Sequence, residues 1–177
     1  MTIGTNGLVA MYLGAVVLAN VTFGVWGMAV EPWNSMLLIG LDLTARDRLH
    51  EAWGRRGLVW KMGALILAGS AISALFGLVF EGVVRVAVAS AVAFASTATV
   101  DALVFGLLPR RWLRINGSNA VGAVVDSFVF PTVAFGVVDW DLVVYFAAVK
   151  FVGGAIWWLG LGGWRDLAPR TSGTSAG

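Results

Sequence analysis

Five apolar runs, each long enough for one α-helix to cross the hydrocarbon core of a bilayer, dominate this chain. They cover residues 7–30, 57–80, 83–108, 117–138 and 142–162. Inside a bilayer no water satisfies the backbone, so a segment of this kind must pair its own N–H and C=O groups as a helix. The first run is expected to remain as a span. It is longer than a signal sequence, lacks a basic start and has no small-residue cleavage site followed by polar sequence.

Composition removes the alternatives. Hydrophobic residues make up 59% of the 177 and charged residues only 12%. One aqueous core of this size cannot hide that much apolar surface. A soluble enzyme, a disordered segment and a nucleic-acid-binding domain are excluded, the last because the net charge is only +2. There is no cysteine and one histidine, His50, so neither a metal site nor a cofactor is expected. No zincin motif, phosphate-binding loop or nucleophile elbow with a histidine partner occurs, and an enzyme is not expected.

A sixth segment is less clear. Residues 33–45 are apolar but short, contain Asp42, and run into Arg46-Asp47-Arg48-Leu49-His50-Glu51-Ala52-Trp53. The expectation is a short span over 29–44 that emerges into an interfacial turn, with Leu49 and Trp53 on one face and the charges elsewhere. The alternative is a segment that never crosses. Ten of the twelve Lys and Arg lie in 46–61, 110–114 and 165–170, whereas the other connections carry Glu31, Glu81, Asp139 and Asp141. The positive-inside rule puts the basic clusters in the cytoplasm. Six spans then place both ends there, and five move only the N-terminus outside. Residues 1–164 are expected to form one all-α integral membrane domain of six transmembrane helices. Residues 165–177 are expected to form a polar, flexible cytoplasmic tail. Trp33, Trp53, Trp112, Trp140 and Trp164 near the span ends fit interfacial anchoring.

Ionisable groups within a span cost roughly 2.5–3.5 kcal/mol each on insertion scales, so they face a protein interior or a wet cavity. Asp101 and Asp126 lie on consecutive spans. The loop between them is centred near Leu113, which predicts nearly equal depth for the two. Lys150 can reach a carboxylate near mid-membrane, as a structural pair or a substrate contact. Arg85 is expected to snorkel to the outer surface, and Asp42 to line the cavity or join the cytoplasmic charges. Asn20, Thr97, Asn119 and Ser127 add hydrogen-bonding groups, and Pro131 frees a carbonyl near Ser127.

Residues 111–130 read Arg-Trp-Leu-Arg-Ile-Asn-Gly-Ser-Asn-Ala-Val-Gly-Ala-Val-Val-Asp-Ser-Phe-Val-Phe, followed by Ala134-Phe135-Gly136. This stretch resembles the vitamin uptake transporter family, also called the queuosine precursor transporter family. The shared features are a basic loop, Ser118-Asn119, Asp126-Ser127, Phe128 and Ala134-Phe135-Gly136. The family's fourth span often reads Ser-Glu, two residues, Asp, then an aromatic four further on. Here those positions hold Thr97, Ala98, Asp101 and Phe105, so one carboxylate is missing. The resemblance implies a six-helix fold similar to the substrate-binding components of energy-coupling-factor transporters. It also implies uptake of 7-cyano- or 7-aminomethyl-7-deazaguanine through a multi-pass protein of the bacterial inner membrane. Candidate substrate contacts are Asp126, Asp101, Asn119, Lys150, Asn20, Thr97, Phe105, Ser127 and Phe128, with Trp60 as another ring to sandwich a flat substrate. Two other readings stay open: a vitamin-binding subunit that needs a separate energising module, and a non-transporting structural membrane protein. The expected partners are a small planar nucleobase-like molecule and the lipid bilayer, with no nucleic acid.

Overall fold

The computed structural model describes residues 3–54, 57–107 and 111–162, without the side chains of 101, 102, 105, 106 and 111–116. Every regular element among them is helical: α1 (Thr5–Trp26), a 3-10 turn (Gly27–Ala29), α2 (Glu31–Trp33), a π-helical stretch (Asn34–Ile39), α3 (Gly40–Trp53), α4 (Leu58–Phe76), α5 (Val83–Leu107), α6 (Arg111–Phe135) and α7 (Trp140–Gly160). Five helical stretches are long and apolar enough to cross a membrane: Thr5–Ala29, Leu58–Phe76, Val83–Val100, Gly117–Phe135 and Trp140–Gly160. The chain is a multi-pass membrane protein. The breaks between helices use glycine where the backbone leaves the region open to L side chains. Gly27 ends α1 at φ 60° and Gly136 follows α6 at φ 70°. After that turn the Asp139 carboxylate accepts from the amides of Asp141 (3.0 Å) and Leu142 (3.2 Å), which starts α7.

The helices close a ring in the order α1, α4, α5, α6, α7, α3, with α1 also touching α5 directly. The polarity of the ring is reversed relative to a soluble protein. Val59, Leu67, Leu78, Val144 and Ile156 face outward and are exposed, while Asn20, Glu31, Asp42, Arg46, Asp47, Asp126 and Lys150 are buried. An outward charge would have to lose its hydration to lipid, whereas an inward one finds partners. Leu8, Tyr12, Val16, Ile39, Leu49, Met62, Ile66 and Phe94 form an apolar core where α1 meets α3, α4 and α5.

The segment from Glu31 to Trp53 corrects the expectation from sequence. The expected short span and interfacial turn are one continuous helical run, about 34 Å long at 1.5 Å per residue. It packs between α1 and α7. Asp42, Arg46 and Asp47 are 1%, 2% and 4% exposed, so the charges turn inward together with Leu49. The run is too polar to pass as a lipid-facing span because both of its flanks are protein. Its contact with α7 depends on small residues. A Cβ on Gly153 would lie 2.0 Å from the Met36 carbonyl oxygen, and one on Gly40 would lie 2.5 Å from the Gly153 carbonyl carbon. Backbones this close are typical of helix pairs in membranes.

The α5–α6 hairpin also differs from expectation. α6 begins at Arg111, so the turn precedes the expected centre at Leu113. A Cβ on Gly122 would touch the Thr97 methyl at 3.0 Å. Continuing that antiparallel register by four residues puts Asp126 opposite Ala93. Asp101 is eight residues further along α5, roughly 12 Å nearer the end of α5 that leads into α6. Equal depth is therefore replaced by a stagger.

Gly153→Ala should lower the thermal midpoint in detergent, by the equivalent of about 1–3 kcal/mol of overpacking. Gly160→Ala, where an added Cβ meets nothing within 4 Å, should leave it unchanged. Because the sequence contains no cysteine, labelling gives a clean test of topology. With the Glu31–Trp53 run crossing, Thr5→Cys should react with an impermeant maleimide only in inverted vesicles, and Glu81→Cys only in intact cells.

Candidate functional site

Near the middle of the bundle, α2, α6 and α7 bring three ionisable groups together. The Lys150 ammonium donates to Asp126 Oδ2 at 2.7 Å and to Ser127 Oγ at 3.1 Å. Its Nζ is 4.0 Å from Glu31 Oε1. Ser35, one turn after Glu31, donates to the same Oε1 at 2.9 Å. All five side chains are buried. Asp126 and Ser127 are adjacent on α6, and both reach the one lysine that α7 carries into the bundle. Pro131 has no N–H for the Ser127 carbonyl one turn below, and it lines the same space.

Above this cluster is a cavity of about 200 Å³, bounded by α1, α6, α7 and the connections at 27–30 and 136–139. Its walls are Phe23, Met28, Phe130, Pro131, Phe135, Leu142 and Phe146. Glu31, Ser127 and Lys150 form its polar end, and Asp139 lies near its mouth. Phe23 packs edge-on against Phe130 at 5.3 Å and tilted against Phe135 at 5.9 Å. These rings form an aromatic, apolar slot over a charged floor. Below the floor a space of about 20 Å³, enough for one water, is lined by Asn20, Asn34, Ser90 and Asp126. Deeper still, Asp42, Arg46, Thr97 and Ala123 close together with no room between them. The site is therefore open toward the acidic connections and packed shut toward the basic ones.

The residues singled out from sequence divide among these layers. Lys150, Asp126 and Ser127 meet at the floor. Asn20 lies just beneath it, donating to Ser73 Oγ at 3.0 Å and accepting from Ser90. Thr97 is buried in the packed layer, and its hydroxyl has no hydrogen-bond partner. Asn119 is lower again and donates to Asp47 Oδ2 at 2.8 Å, which keeps it away from the cavity. Phe128 stacks on Trp140 at 5.5 Å and lines neither space. Trp60 is 85% exposed on the outer face of α4, so it cannot sandwich a substrate in the site. Arg85 is exposed near the start of α5, over the Phe135 ring at 5.7 Å. The side chains of Asp101 and Phe105 lie outside the described residues.

Several site residues were missed. Glu31 was read as part of an outer loop. The signal was Pro32, which is favoured in a first helical turn and marks Glu31-Pro32-Trp33 as a helix start that carries its carboxylate inward. Phe130, rather than Phe128, is the cavity ring of α6. It is four residues after Asp126 and therefore on the same helix face. Phe135 stood only as part of the Ala134-Phe135-Gly136 signature, and Phe23 and Phe146 carried no signal, because apolar aromatics in a span look alike whichever way they face. Among the described residues no group of three or more acidic or histidine side chains could hold a metal ion.

A ring of membrane helices around a buried charged floor and an aromatic slot is the architecture of a small-solute transporter. The chain belongs to the vitamin uptake transporter family: the family described as "Putative vitamin uptake transporter" matches residues 9–161. It is 29% identical over 165 residues to a protein of Bacillus subtilis (strain 168) named "Probable queuosine precursor transporter". That similarity covers 75% of this chain and 69% of the relative. No solved structure matches the chain. Family membership assigns the chain transport rather than enzymatic catalysis.

The Lys150–Asp126 pair lends itself to a double-mutant cycle. Lys150→Met leaves buried carboxylates without their counter-ion and should lower the thermal midpoint markedly. Adding Asp126→Asn should recover part of that loss, with a coupling energy of about 1–3 kcal/mol. Additive effects would mean that the pair does not interact in the folded protein.

Proposed function

We propose that this protein imports a small planar nucleobase-like molecule, a 7-cyano- or 7-aminomethyl-7-deazaguanine precursor of queuosine, across the bacterial inner membrane into the cytoplasm. The observation that carries the reading is the aromatic slot ending on Glu31, Ser127 and Lys150, with Asp126 held by Lys150 just beneath it. A deazaguanine presents an N1–H and a 2-amino group on one edge, and the Asp126 carboxylate can accept from both. Its O6 takes a donor, which Lys150 supplies. Its ring lies between Phe23 and Phe130 on one side and Phe146 on the other. The named relative and the family support the substrate class and its uptake, and the placement of basic connections supports a slot that faces outward.

Transport then proceeds by alternating access around this floor, with α1, α5, α6 and α7 moving relative to one another. The Glu31–Trp53 run is the sixth crossing of a fold similar to the substrate-binding components of energy-coupling-factor transporters. In the outward-facing state of this cycle the Asp42–Arg46–Thr97 layer is shut. Thr97 and Asn119, deeper along α5 and α6, line the inward path once it opens, and α5 carries Asp101 one turn beyond Thr97.

Binding to the native state alone raises its stability in a concentration-dependent way. Purified protein should gain thermal stability with either deazaguanine, and not with adenine, riboflavin or biotin. Asp126→Asn should abolish that gain. Phe130→Ala should weaken binding by about tenfold or more, the loss of one buried stacking ring, whereas Phe128→Ala should leave affinity nearly unchanged. A gain with riboflavin or biotin and none with deazaguanines would replace the nucleobase by a vitamin.

A further inference from the structure

The buried cluster holds two carboxylates and one ammonium. With all three ionised these groups sum to one negative charge, in a layer that also contains Asn20, Asn34 and Ser90; the next cation among the described residues, Arg46, borders Asp126 from the packed layer, beside Asp42. The groups facing Glu31 can be named element by element. α7 presents Lys150, and α6 presents Asp126 and Ser127. α1 presents Ala19, Asn20 and Phe23, none of them titratable. α5 presents Val86 and Ser90, with Arg85 further out against Phe135. The 136–139 connection presents Asp139, a second anion, near the cavity mouth. One proton on the cluster removes the excess charge.

The geometry says which carboxylate takes it. Asp126 holds the ammonium at 2.7 Å, a strong charge-assisted bond. Glu31 is 4.0 Å from the same nitrogen, at the outer limit of an ion pair, and its one close hydrogen bond is from a neutral serine. Glu31 also lines both the outer cavity and the water-sized space beneath it, so it meets the solute and the inward path alike. Its helical turn leads directly into the π-helical stretch Asn34–Ile39, an irregularity common where helices adjust at functional sites.

We propose that Glu31 is the proton-binding site of the transport cycle, which makes this chain a proton-coupled importer. Glu31 takes one proton from the outer solution and enters the cycle neutral. After the site turns inward it releases that proton to the cytoplasm. One proton moves inward with each substrate molecule, so import of a neutral base carries one positive charge in. The cycle rests on the import reading above, whereas the proton on Glu31 does not.

Two measurements separate those ideas. The first needs no substrate. In the infrared spectrum of purified protein at neutral pH, the difference between wild type and Glu31→Gln should contain a positive carboxylic-acid carbonyl band that shifts on deuteration. Asp126→Asn should also remove this band, because the cluster then has one carboxylate for one ammonium and Glu31 ionises. An ionised Glu31 would give neither result. Absence of the band from the wild-type difference overturns the assignment. The second measurement is uptake of a 7-deazaguanine into proteoliposomes with and without an imposed gradient, acid outside. The ratio of initial rates should be several-fold above one for wild type and should fall to one for Glu31→Gln, whatever that variant's absolute rate. A gradient-insensitive wild type, or a gradient-sensitive Glu31→Gln, overturns proton coupling. If wild type takes up no deazaguanine, the substrate reading fails, and the infrared result alone decides the proton assignment.

Discussion

The Lys150 ammonium, buried between Asp126 and Glu31, is the constraint around which the membrane domain is arranged. A charge at that depth is tolerated only with partners held close and with water excluded on most sides. α7 supplies the lysine, α6 the nearer carboxylate and serine, and α2 the further carboxylate. Three separate parts of the chain must therefore converge on one atom. That convergence also sets how the Glu31–Trp53 run lies against α7, and the glycines at 40 and 153 let the two backbones approach closely enough to keep it.

The same cluster divides the molecule into two halves of different character. On the side of the acidic connections, phenylalanines line a cavity of about 200 Å³. On the side of the basic connections, Asp42, Arg46, Asp47, Thr97 and Asn119 fill the bundle. A solute that replaced part of the Lys150 coordination would change the balance of charge at the boundary between the halves. Polar packing on the closed side suits a barrier that must open, because hydrogen bonds can be exchanged for water more readily than an apolar seal can be wetted.

Much of the architecture was legible from hydropathy. The five apolar runs became α1, α4, α5, α6 and α7, since lipid leaves the backbone no other solution than a helix. Asp126 and Lys150 stood out because ionisable residues in a span are expensive, and they met. The polar run from Asp42 to Trp53 misled, because a hydropathy argument assumes a lipid-facing helix. This one is flanked by α1 and α7, and protein partners replace the lipid. The hairpin register also misled. A one-turn error in the position of the turn before Arg111 moves every paired residue on α5 and α6, which separated Asp101 from Asp126 by about two turns of helix.

By itself the sequence determined that this chain is a helical membrane protein, which end of each connection is basic, and which charged residues must hide. The signature of residues 111–136 pointed to its family. Those properties are local: they follow from the transfer energy of each segment and the chemistry of neighbouring residues. Only the tertiary structure decided that Glu31 joins the site, that Phe130 rather than Phe128 lines it, and that Asn119 belongs to Asp47 instead. Which face of a uniformly apolar helix turns inward is set by close approach between helices distant in sequence, and no single segment records that choice.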